Sequence, residues 1–208
     1  MGVVVYTTFG MMITMAAKNV EKNTSLYELP ANGDPVIPEF EDCAPDELPQ
    51  AVTEAVRDEM SFYEIIDSKP LGTPLKVSFG ESGVAFVIPY QEVSYADGNQ
   101  RTKTIYVVDV DLEGKLIGHS SSVIDTDEDG QEKNDPFVRY TKSLRIASRA
   151  GLGLRRLIVM NEANKRLFNK KLSSGSFAGD DPTAKRLWQK LVSLGQASED
   201  KLGGYYFI

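Results

Sequence analysis

Cysteine and histidine are almost absent from this chain of 208 residues, which holds one of each, Cys43 and His119. A single cysteine excludes an intramolecular disulfide and any cysteine-built zinc cluster. A single histidine excludes a site made of two imidazoles, and no metal is expected. Cys43 sits in Glu41-Asp42-Cys43-Ala44-Pro45, where neighbouring carboxylates oppose thiolate formation, so it reads as an incidental loop thiol. A basic surplus is lacking too: 23 Lys and Arg stand against 30 Asp and Glu, a formal net charge of −7. That balance argues against binding along nucleic-acid phosphates, and no nucleic-acid partner is expected. Long apolar runs are also missing. Met1 to Ala17 is uncharged, but it has no basic start and is diluted by Thr7, Thr8, Gly10 and Thr14. It is shorter than the roughly 20 residues that span a bilayer. It reads as a buried first strand, or as a leader before an internal start at Met11 or Met12, rather than a signal peptide. No membrane partner is expected, and the expected location is cytoplasmic.

What is present suits a packed domain. Hydrophobic residues make up 41% and charged residues 25%, enough apolar material to bury a core. Pro30, Pro35, Pro38, Pro45 and Pro49 recur from Glu28 to Pro49 among acidic residues, which reads as a surface arm. The chain therefore divides into 1–48, a strand or leader with this acidic arm, and 49–208, an α/β domain. Val52, Ala55, Val56, Met60, Tyr63 and Ile66 predict a helix from Pro49 to Ile66. Lys76–Phe79 and Val84–Ile88 flank a Gly-Glu-Ser-Gly turn as a hairpin, with Pro89 expected to confine the second strand's end to a sheet edge. Thr104–Asp111 and Lys115–Ile124 enclose Leu112-Glu113-Gly114 as a second hairpin. Phe137 to Ala147 reads as a strand or the approach to a helix, and Leu152 to Leu172 as a helix. A further helix is capped by Asp181, begins at Pro182 and closes at Gly195; Tyr205 to Ile208 reads as a last strand.

Two segments carry chemical possibilities. In Ser148-Arg149-Ala150-Gly151-Leu152-Gly153-Leu154-Arg155-Arg156, two glycines stand at the start of a helix. Their backbone amides and the helix N-terminus suit a diphosphate, and Arg149, Arg155 and Arg156 would add charged contacts. The plain alternative is that Gly151 and Gly153 only turn the chain. Asp125-Thr126-Asp127-Glu128-Asp129-Gly130 copies the first half of an EF-hand loop, but Pro136 stands where the bidentate glutamate belongs. It reads as an acidic solvated turn. Lys165, Arg166, Lys170 and Lys171 read as a solvated helix face, and Trp188 as core or interface.

The hairpin YVVDVDLEGKLIGHSSSVI, the Arg-x-Gly-x-Gly helix start and KLSSGSFAGDDPTAKRLWQKL together resemble the GNAT superfamily of N-acetyltransferases, most of all its small, divergent bacteriophage-type members. The resemblance covers roughly Thr104 to Ile208. It implies an α/β (α+β) fold with a mixed, mostly antiparallel central sheet flanked by helices. It also implies acetyl-coenzyme A, its pyrophosphate held by Arg149, Ala150, Gly151, Leu152, Gly153 and Leu154, and acyl transfer to a small-molecule or protein amine. It implies that the thioester carbonyl is polarised by an amide of a splayed fourth strand. Tyr140 to Ala147, that strand here, carries no glutamate, so no general base is named; His119, Tyr205 and Tyr206 are candidates by type alone. A second reading on the same scaffold is a non-catalytic virion or host-interaction protein, virion-associated if phage-encoded, contacting its partner through the acidic arm and the Asp125–Pro136 loop.

Overall fold

The computed structural model describes residues 38–80, 83–95, 99–143, 152–175 and 182–208, all within one compact unit, Pro35–Ile208. It is an α+β fold with three α-helices and a mostly antiparallel sheet among these residues. The strands are β1 (Glu41–Asp42), β2 (Ile65–Pro70), β3 (Leu75–Ser78), β4 (Val84–Ser94), β5 (Gln100–Val110), β6 (Leu116–Thr126) and β7 (Phe137–Ser143). Their order in the sheet is β1-β3-β4-β5-β6-β7, with β2 also on β4. Helix α1 (Gln50–Phe62) covers one face, and α2 (Leu152–Phe168) and α3 (Pro182–Ser193) the other. A small hairpin, β8 (Ala197–Glu199) and β9 (Tyr205–Phe207), completes the second layer.

The apolar run of β5 follows from burial on both faces. Ile105 and Val107 point to the α2/α3 side, Tyr106 and Val108 to the α1 side, and all four are fully buried. Trp188 of α3 is buried among Tyr205, stacked at 6.0 Å, and Phe207, edge-on at 5.4 Å. Each such pair adds about 0.5–1.5 kcal/mol beyond area burial. Gly195 has φ +69°, the left-handed closure expected after α3.

Three expectations need revision. The first helix stops at Phe62: Glu64 is left-handed at φ +50°, and Ile65 and Ile66 start β2. Helical spacing extends into that segment, but the β-branched pair finds a ladder on β4 instead. Pro89 is not at an outer edge, because β4 runs through it to Ser94. β3 pairs with Val84–Val87 and β2 with Tyr90–Ser94, so the missing N–H falls in the gap between them, where the Pro89 carbonyl accepts from Leu71. The last part of the acidic arm is also part of the fold. Glu41 and Asp42 pair with β3, and Cys43 is 1% exposed against α1, its N–H donating to Pro74 O. Burial first, then Glu47, pushes its thiol pKa up.

After β7 the chain passes through α2 and returns at Ser173, which bridges Phe137 in parallel and Tyr206 in antiparallel fashion. The loop from Asp127 to Pro136 is held by Glu132, which meets Lys103 at 2.7 Å and Lys170 at 3.1 Å. Those hydrogen bonds hold its carboxyl below the ordinary value of 4.5. Asp181, the expected cap of α3, lies outside the described residues, as does everything read in Met1 to Ala17.

Two outcomes follow. Gly83 sits at φ +103°, and a Cβ there would lie 2.1 Å from the Val110 carbonyl oxygen, so Gly83→Ala lowers the urea midpoint. Its expected cost is about 1–3 kcal/mol. Glu132, with its pKa depressed on folding, contributes stability that is present above pH 4.5 and lost as pH falls through the folded value. Glu132→Gln therefore costs up to about 1 kcal/mol at pH 7 and nothing near full protonation, read by urea unfolding at both ends of the range.

Candidate functional site

Glu59 belongs to the apolar stripe of α1, in step with Val52, Ala55 and Val56, and is 2% exposed. Such a carboxylate must find partners inside. It accepts from Ser121 Oγ and from Arg139 Nη2 at 3.4 Å, and pairs with His119 Nδ1 at 3.1 Å. Arg139 is the extra residue of a β-bulge, since Val138 faces Ser122 and Tyr140 faces Ser121. The bulge puts the Arg139 guanidinium and the Tyr140 ring on the same side of the sheet, facing α1. Arg139 also reaches Glu92 Oε2 at 3.2 Å and Tyr106 Oη at 3.1 Å, and lies over the Tyr63 ring at 4.3 Å.

Glu92 is fully buried and accepts from Tyr106 and from Thr104 Oγ1. Burial first, and then Glu92, raises the Tyr106 phenol far above its ordinary value, so it stays a donor. Burial works against the Arg139 charge, yet Tyr106, Glu92 and Glu59 outweigh it and raise its pKa.

Beside this network lies a cavity of about 300 Å³ between α1 and β6–β7. Glu54, Asp58, Glu59 and Phe62 form its α1 wall, with His119 and Tyr140 opposite. The His119 and Tyr140 rings are 5.1 Å apart, and Phe62 is 6.3 Å from Tyr140. Burial and the nearby Glu59 raise the Tyr140 phenol pKa. Glu59 engages Nδ1 of His119, a residue that lines the cavity, and leaves Nε2 as its other ring nitrogen. An oriented imidazole, a protonated phenol and an acidic rim suit binding a cation and removing a proton from it.

The residues singled out in the sequence fare unequally. Arg149, Ala150 and Gly151 lie outside the described residues. Leu152, Gly153 and Leu154 open α2, so their amides belong to a helix N-terminus. A Cβ on Gly153 would stand 3.2 Å from Leu187 Cδ1, so this glycine also lets α2 approach α3. Arg155 and Arg156 do not stand ready for phosphate. They are 2% and 0% exposed, 3.6 Å and 3.8 Å from the buried Asp109, with Arg155 over the Phe79 ring at 3.9 Å. Burial lifts the Asp109 carboxyl to about 6 against the pull of both arginines. Tyr205 is buried in the α3 layer and Tyr206 is exposed; neither lines the cavity. Lys165 pairs with Glu162, Arg166 lies over Phe40, and Lys170 pairs with Glu132 and Asp135.

The acidic turn is self-contained. Asp127 Oδ1 accepts the N–H groups of Asp129 and Gln131, and Asp125 takes Gln100 and Asn134. Among the described residues no group of three or more acidic, cysteine or histidine side chains is placed to hold a metal ion. Nor is any helix among them long and apolar enough to cross a membrane. Glu59, Glu92, Arg139 and Tyr140 were not found by motif. The available signal was a carboxylate inside a helical apolar stripe.

No family model matches the chain, and neither a curated protein nor a solved structure matches it.

Removing Glu59 strips Arg139, His119 and Ser121 of a shared partner. Glu59→Ala is expected to cost about 3–5 kcal/mol by chemical denaturation. A cost near that of an ordinary surface substitution would contradict the network as described.

Proposed function

We propose that the protein is an acyl-coenzyme A-dependent N-acyltransferase on a GNAT-like scaffold, carrying an acetyl group to an amine. The observation that carries this reading is a histidine oriented by a buried carboxylate at the wall of an open acidic cavity. An amine arrives as an ammonium, is drawn by Glu54 and Asp58, and must lose a proton before its nitrogen attacks a carbonyl carbon. His119 Nε2 takes that proton, while Glu59 at Nδ1 stabilises the imidazolium that forms. Tyr140, kept protonated, is the donor on the same wall.

The topology supports the reading further. An antiparallel meander, β4 to β7, is followed by a helix and one parallel bridge from Ser173 to Phe137, in keeping with the mixed, mostly antiparallel sheet that the GNAT resemblance implies. The bulge at Arg139 interrupts the strand that would be the splayed fourth one. For the cofactor, the first-turn amides of the 17-residue α2, from Leu152 to Leu154, fit a diphosphate, with Arg149, Ala150 and Gly151 just before them. Arg155 and Arg156 do not, because Asp109 holds them inside. Bound acetyl-coenzyme A would supply the acetyl group as a thioester, the new C–N bond forming as the C–S bond breaks, and Tyr140 would protonate the departing thiolate.

Thermal unfolding with acetyl-coenzyme A tests the reading. A ligand at about 100 times its dissociation constant adds about 2.7 kcal/mol, a clear rise in Tm. His119→Gln keeps that rise and lowers acetyl transfer to an amine by roughly a hundredfold. Absence of any rise at millimolar acetyl-coenzyme A overturns it.

A further inference from the structure

We infer that the cavity between α1 and β6–β7 binds an alkyl diammonium, an unbranched chain with a primary ammonium at one end and a second cationic nitrogen. The inference deepens the transferase reading and rests on it for the fate of the ammonium; the binding step itself needs no cofactor.

Charge is the first argument. Glu54 and Asp58 are four residues apart on α1, so both carboxylates stand on one rim. Both are exposed, and neither forms an ion pair among the described residues; Glu54 accepts only from the neutral Gln50 amide. Behind them, Glu59 and Glu92 share the single guanidinium of Arg139, which leaves the buried network one formal negative charge in excess. No lysine or arginine is among the described residues lining the cavity. An anionic ligand meets only repulsion there.

Hydrogen bonding is the second. His119 is 5% exposed and lines the cavity. Its Nδ1 is engaged by Glu59, and its Nε2 has no partner among the described residues. A recessed acceptor calls for a donor, and an ammonium N–H supplies one. The walls are the third. The Phe62 and Tyr140 rings, 6.3 Å apart, line the same cavity as the recessed histidine and the acidic rim, surfaces that suit methylene groups and a passing cation. One ammonium therefore sits at His119, the chain lies along the rings, and the second cation meets Glu54 and Asp58.

Because His119 is the only histidine in the chain, its ring signals in proton–carbon NMR are unambiguous. The full chain is titrated with diaminobutane at constant ionic strength and without cofactor. The His119 signals are expected to move saturably, with butylamine binding about fivefold more weakly. The double variant Glu54→Gln/Asp58→Asn, altered only at exposed positions, weakens diaminobutane about fivefold or more and butylamine little. Glu128→Gln/Asp129→Asn, an equal charge change at the exposed turn beyond the far end of β6, leaves both titrations unchanged. No saturable movement of His119, or equal binding by the double variant, overturns the inference. Saturable diamine binding without any acetyl-coenzyme A stabilisation upholds this site and removes the transferase reading. Acetylation of other amines with no diamine binding does the reverse.

Discussion

The guanidinium of Arg139 is the constraint on which the α1 side of this protein depends. It contacts α1 through Glu59, β4 through Glu92, β5 through Tyr106 and β6 through Ser121. Burying two carboxylates without a cation between them is costly, and so is burying the cation without them. Only a bulge in β7 lets Arg139 and Tyr140 face the same side together. The sheet thus gives up one regular ladder position and gains a polar core. That core fixes Glu59, and Glu59 in turn fixes His119.

The opposite face holds a second buried charge group, and it does a different job. Asp109 on β5 and Arg155 and Arg156 on α2 sit between the sheet and the helix. Burial dominates there, raising the carboxyl and lowering Arg156 below its ordinary value. These arginines anchor the first turns of α2 to β5. Gly153 against Leu187 sets how closely α3 approaches. The start of α2 is therefore positioned by contacts from behind, and its charged side chains serve the core.

The two faces divide the tasks the proposed reaction needs. The α1 face carries the recessed histidine, the phenol and the acidic rim, which the proposed reaction would use to select and deprotonate a cation. The other face carries the helix whose N-terminal amides favour an anion by geometry alone. The β-sheet between them is antiparallel and buried on both sides, a rigid support for side chains that must meet with little freedom.

Much of the element order was legible because its causes are local. Gly114 and Gly195 have positive φ where turn and cap chemistry require it, Pro182 opens α3, and the run from Thr104 to Asp111 reads as a hairpin strand. The failures share one cause. Ile65 and Ile66 fit a helical period, Pro89 reads as an edge marker, and Arg155 and Arg156 read as phosphate ligands until distant neighbours are known. By itself the sequence determined where helices, hairpins and turns begin, because dihedral preference and apolar period act over a few residues. Tertiary structure alone decided the site. Arg139 and Glu59 lie 80 positions apart, and whether a charged side chain meets solvent, a ligand or a buried partner depends on strand register and burial.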